Sequence, residues 1–193
     1  ALHNVANAIS AVLASDLAIN QQQIVNATVN AMEQVALAGR FDYQQKQGRR
    51  WLFDVGHNEH GMRFLLQQLN QALPQLLPNK PNATKGHLLI VFSMLQDKDI
   101  QTVLSLLTDN ELLQQKIVHW YIAPMDPTYV PRSAPLAYLQ NQMAEFVAND
   151  ELSTYDSLEL ASQSAIAEST EDDLILVCGS FHTICEVMQA LET

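Results

Sequence analysis

The chain has 193 residues, of which 48% are hydrophobic, and 10 basic side chains face 21 acidic ones for a formal net charge of −11. That length suits one domain with an appendage and a sizeable core. The charge argues against a nucleic-acid partner, because no Lys/Arg cluster is present to displace counterions from a phosphate backbone.

No apolar run is long enough to span a bilayer, and the first residues lack the basic start of a signal peptide. A cytoplasmic protein with no membrane partner is therefore expected. Cys178 and Cys185 fall in an expected strand and the helix after it. They read as small buried hydrophobes in a reducing compartment.

In chain order, residues 1–16 carry Leu2, Val5, Ile9, Val12 and Leu13 at helical spacing, and Ile24, Ala27, Ala31 and Val35 mark a second helix. Asp16 and Asn20 break or cap between them. From Gly39 the character changes. Residues 40–44 alternate, Gln45 to Gly48 turn, and Arg49 to Val55 return, which is a hairpin signal.

The stretch Trp51 to His60 is then the centre of the chain. Trp51, Leu52, Phe53 and Val55 read as a buried strand that breaks at Gly56. Asn58 is a good N-cap, and Met62, Phe64, Leu65, Leu66 and Leu69 supply an apolar helix face. Pro74, Pro78 and Pro81, with Asn79 and Asn82, mark a loop.

Residues 87–92 read as a central strand, 100–107 as a helix and 117–122 as a strand. A proline-marked loop spans 123–132, and a helix is expected from Ser133 to about Val147. A short edge strand at 152–155, a helix at 157–168, a buried strand at 174–178 and a last helix after Ser180 complete the pattern. Alternating strands and helices imply an α/β, Rossmann-like, mostly parallel sheet with one antiparallel flanking strand and an N-terminal helical pair.

Four strand-to-helix junctions carry unusual polar residues: Asp54/His57/Asn58, Asp97/Lys98/Asp99, Arg132/Ser133 and Ser180/His182. A parallel sheet brings such loops to one edge, where ligands bind and helix N-termini favour anions. Each junction also has a plainer explanation. Asp54 and Asn58 can cap a turn, Asp97 and Ser180 are natural N-caps, and Arg132 can simply pair with a carboxylate. No HExxH or CxxC spacing supports a metal site, and Gly179-Ser180-Phe181 lacks the GxSxG elbow.

Five motifs in order carry a resemblance: Gly39-Arg40-Phe41, Phe53-Asp54-Val55-Gly56-His57-Asn58, Asp97-Lys98-Asp99, Pro131-Arg132-Ser133-Ala134 and Gly179-Ser180-Phe181-His182-Thr183. Together they resemble the C-terminal domain of the bifunctional folylpolyglutamate synthase/dihydrofolate synthases, within the Mur ligase superfamily. Asn4 to Ala8 resembles the Asn-containing helix that ends the family's central ATPase domain. The family joins L-glutamate to dihydropteroate or to folates through an acyl phosphate made with ATP and Mg2+.

The resemblance implies that Asn7, Arg40 and Asp54 meet ATP, that His57 lies near the reaction centre as the catalytic residue, and that Lys98, Ser180 and His182 face glutamate. It further implies that residues 1–37 are the tail of a central ATPase domain and 38–193 the C-terminal domain of a monomeric enzyme. Glu59 stands where the family often has Pro, a replaceable first-turn residue. No G-x-x-x-x-G-K-[ST] loop occurs in these 193 residues, so the phosphate loop and metal ligands are expected upstream and the fragment alone is expected to be inactive. The rival expectations are a cell-wall Mur ligase C-terminal domain and a non-catalytic Rossmann-like binding domain.

Overall fold

The computed structural model describes residues 2–34, 38–77 and 86–192. They fall into two compact units, 1–37 and 38–193.

The first unit is a helical pair, α1 (Leu2–Leu13) and α2 (Gln21–Gln34). Asn20 starts α2 earlier than the apolar spacing suggests. Its side chain accepts the Gln23 amide at 2.9 Å, and Gln23 Oε1 accepts the Asn20 amide at 2.9 Å. These two bonds satisfy orphan donors reciprocally. Val35, expected on the α2 face, lies outside the described residues.

The second unit is built on a six-stranded sheet of order β1-β2-β6-β3-β4-β5. The strands are β1 (Asp42–Lys46), β2 (Arg49–Asp54), β3 (Leu88–Phe92), β4 (Ile117–Ile122), β5 (Leu152–Thr154) and β6 (Leu174–Cys178). Only the β1–β2 pair is antiparallel. Its turn is tighter than expected, Gln47-Gly48 with φ of 49° and 71°. Positive φ at both central residues matches the twist of the flanking strands.

The helices of this unit are α3 (Glu59–Leu76), α4 (Ile100–Thr108), α5 (Glu111–Gln114), α6 (Leu136–Met143), α7 (Leu158–Glu168) and α8 (Phe181–Ala190). One apolar cluster joins α3, α4 and α6 to Leu52, Ile90, Trp120 and Leu176, and a second joins α7 and α8 to Phe53, Val91, Tyr121 and Val177. Alternate residues of each strand thus feed opposite faces, and both faces are covered. A fully buried Leu65 or Leu176 contributes about 2 kcal/mol relative to exposure.

Several boundaries differ from expectation for local reasons. Phe64 is 42% exposed, because Met62, Leu65, Leu66, Leu69 and Leu73 define the buried stripe and position 64 points away from it. Pro74 lies within α3; the carbonyl it leaves without a donor belongs to Asn70, on the exposed side. Pro78, Asn79, Pro81 and Asn82 lie outside the described residues.

Helix α6 starts at Leu136 rather than Ser133, because Ser133 is drawn into an antiparallel bridge with Leu95 and Pro135 takes the N-cap position. The short α5, capped by Asn110, was not evident from spacing.

Candidate functional site

The five parallel strands end level. Asp54 pairs with Cys178, Cys178 with Phe92, Phe92 with Ile122, and Ile122 with Thr154. The loops that follow therefore leave from one edge. Helices α3 and α4, after β2 and β3, lie on one face, while α8, after β6, lies on the other. The chain thus diverges on both sides of β6, the crevice at which open α/β sheets bind ligands.

Asp54 is 5% exposed, and both of its oxygens are engaged. Oδ2 accepts the Phe41 amide at 2.9 Å and Oδ1 accepts the Gly56 amide at 2.8 Å. The Val55 amide donates in turn to the Gly39 carbonyl at 2.8 Å. This lacing presses the Gly39–Phe41 turn against the end of β2. Gly39 sits at φ 73° with Ile184 and Val55 side chains 3.2 Å from where a Cβ would stand. Phe41 is held at φ 48°, a left-handed conformation that a non-glycine residue keeps only when its surroundings impose it.

Arg40 is carried between these two positions with its side chain exposed. Burial pushes the Asp54 carboxyl above the usual aspartate range, although the Phe41 and Gly56 amides and the nearby Arg40 charge pull the other way.

His57 is half-buried, and its Nδ1 lies 2.8 Å from the Val55 carbonyl oxygen. A carbonyl only accepts, so Nδ1 carries a proton, and in the tautomer this bond selects Nε2 is the nitrogen left to accept. Asn58 caps α3 through the Gly61 amide at 2.9 Å, as its position in the sequence implies.

After β3, the capping carboxylate is Asp99, not Asp97. Asp99 accepts the Thr102 amide at 3.0 Å and the Thr102 hydroxyl at 2.7 Å, and these bonds hold its pKa below the ordinary value. Asp97, two residues earlier, pairs with Arg132 at 3.0 Å, which gives Arg132 the plain ion-pair role. Lys98 stands half-exposed between the two aspartates.

Ser180 is 3% exposed and caps α8, accepting the Thr183 amide at 3.0 Å. Its hydroxyl also meets the Thr183 hydroxyl at 2.9 Å and Met125 Sδ at 3.3 Å. His182 is exposed on the first turn of α8. Thr183, to which the sequence assigned no part, donates its hydroxyl to the Ser93 carbonyl at 2.9 Å. Gly179, at φ 113°, lets β6 and β3 approach, since a Cβ there would lie 2.2 Å from the Ser93 oxygen. Asn7 lies on α1 in the first unit, exposed.

The edge thus assembles Arg40, Asp54, His57, Lys98, Ser180 and His182 from three adjacent strand ends and the β1 turn. Among the described residues no three His, Cys, Asp or Glu side chains group as a metal site. The exposed Arg40 guanidinium beside a buried carboxylate fits a polyanionic nucleotide, as a fixed cation with planar donors.

The family model described as Mur ligase, glutamate ligase domain matches residues 39–181, which span every one of these residues except Asn7 and His182. The chain belongs to this family. The dihydrofolate synthase/folylpolyglutamate synthase of Escherichia coli K12 is 32% identical over 189 residues, 98% of this chain and 38% of that protein.

Among solved structures, E. coli FolC in complex with DHPP and ADP superposes with a TM-score of 0.71 at 30% identity, over 98% of this chain and 38% of that one. A bifunctional folylpolyglutamate synthase/dihydrofolate synthase with Mn, AMPPNP and L-glutamate bound gives a TM-score of 0.72 at 29% identity, over 100% of this chain and 40% of that one. The chain therefore spans about two fifths of the length of the relatives it matches.

Proposed function

We propose that this chain is the C-terminal domain of an ATP-dependent ligase that joins L-glutamate to dihydropteroate and to folates. The observation that carries the reading is the divergence of the chain on both sides of β6, which places the laced Arg40–Asp54 turn at the end of β2 and the N-terminus of α8 at the neighbouring strand end. It is supported by relatives whose structures hold ADP or AMPPNP, DHPP and L-glutamate. Residues 1–37 are read as the tail of a central ATPase domain, and the phosphate loop and Mg2+ ligands are assigned to that domain.

The reaction activates a substrate carboxylate as an acyl phosphate, with ADP leaving. The glutamate amine then attacks the acyl carbon, phosphate departs and the amine loses a proton. Arg40 orients the nucleotide, and Asp54 holds the turn that aims it. Asn7 contacts the nucleotide from the helical segment. The His57 Nε2 lone pair is the group suited to accept the amine proton. Lys98, with Ser180 and His182 at the start of α8, provides the positive side of the cleft for the carboxylates of glutamate. The enzyme is read as monomeric and cytoplasmic, and its net charge of −11 favours a chain that stays dispersed.

The test is an acceptor panel with the complete protein. Glutamate-dependent ADP release with dihydropteroate or tetrahydrofolate is expected. Release only with a nucleotide-linked muramoyl peptide would transfer the domain to the cell-wall branch, and release with none would leave a binding domain.

A further inference from the structure

The loop from Ala123 to Ser133 leaves the end of β4, yet it reaches past its neighbour. Strand β3 lies between β4 and β6 in the sheet, and still Met125 Sδ lies 3.3 Å from the Ser180 hydroxyl and 3.5 Å from that of Thr183 at the start of α8. The Asp126 amide, one residue on, donates to both carboxylate oxygens of Glu186 in α8, at 3.1 and 3.2 Å. The loop therefore crosses above the end of β3. Beneath it Ser93 is fully buried, with a hydroxyl that has no partner.

The return limb is fixed to the segment after β3 by the Gln96 amide, which donates to the Arg132 carbonyl at 2.9 Å, and it is tied to the crossing limb by the Met125 amide, which donates to the Ser133 hydroxyl at 2.9 Å. The Arg132–Asp97 pair lies on the same limb. The crossing limb has one charged anchor, Glu186. The Asp126 carboxylate itself turns back within the loop, accepting the Thr128 amide at 2.8 Å. Tyr129, 81% exposed, rides on the turn these bonds define.

We propose that Glu186 is a positioning residue: it fastens the 123–133 loop across the end of β3 and so keeps the shape of the glutamate side of the cleft. The proposal rests on reading that cleft as a glutamate site. Glu186 acts through the loop and touches no reacting atom. Its role needs an acceptor at that place more than a charge, so Glu186→Gln should serve and Glu186→Ala should not.

Two measurements test it. In the 193-residue chain, amide hydrogen exchange over residues 124–130 should quicken about tenfold in Glu186→Ala and stay within about twofold of wild type in Glu186→Gln. In the complete protein, Glu186→Ala should raise the KM for L-glutamate about fivefold or more. Its kcat and its KM for ATP should hold within about twofold, with Gln restoring the wild-type value. Unchanged exchange in the Ala variant would overturn the tether. Faster exchange with an unmoved glutamate KM, or with both KM values raised alike, would overturn the positioning role. A complete wild-type protein that uses no glutamate would bring down the reading of the cleft, and this proposal with it.

Discussion

At the scale of single residues, Asp54 is a carboxylate that the fold uses and that the proposed site would use as well. It is nearly buried and accepts two amides, so its removal strands the Phe41 and Gly56 N–H groups as well as freeing Arg40. Asp54→Ala should therefore cost about 2 kcal/mol of stability, which is about 4–8 °C in melting temperature for a domain of this size. It should also lower kcat/KM with ATP varied in the complete protein by about tenfold to a hundredfold. Melting curves and steady-state kinetics on the same preparation check both. A lowered melting temperature with unchanged kinetics would reduce Asp54 to a structural clasp. Asn58 and Ser180 were legible as caps because capping is a contact within three residues. The second role of Ser180, against Met125, was not legible, since it depends on a residue 55 positions away.

At the scale of elements, the strands and their order of type follow from apolar runs and breakers, whereas the sheet order does not. That β6 inserts between β2 and β3 is a long-range pairing, enabled by Gly179 at one end and by Asp173 at the other. Asp173 accepts the His87 amide at 2.7 Å and the Thr170 amide at 2.7 Å, joining the starts of β6 and β3. Burial alone would raise its pKa, but the His87 and Thr170 bonds outweigh that and leave it lowered. A lowered folded-state pKa gives stability that is present above the unfolded value, about 3.9, and is lost as pH falls through the folded one. Asp173→Asn should thus lower the melting temperature at neutral pH, and the gap from wild type should close in acid. A gap independent of pH would contradict this. One helix start and one cap differ from expectation. Ser133 is taken by Leu95, and the capping role goes to Asp99 while Asp97 pairs with Arg132.

At the scale of the whole molecule, the glutamate ligase domain presents one working edge and carries no phosphate loop in its sequence. The whole chain spans 38% of its E. coli relative. The order of five motifs was enough to point to the family before any sheet was drawn. The loop that crosses β3 was not, because its anchors are scattered over 60 positions. The central claim is that this edge is one side of a catalytic centre completed by another domain. Glutamate-dependent ATP hydrolysis, measured side by side for the 193-residue chain and the complete protein with dihydropteroate or tetrahydrofolate, tests it most directly. The account predicts turnover by the complete protein and none by the chain alone; turnover by the isolated chain would contradict it.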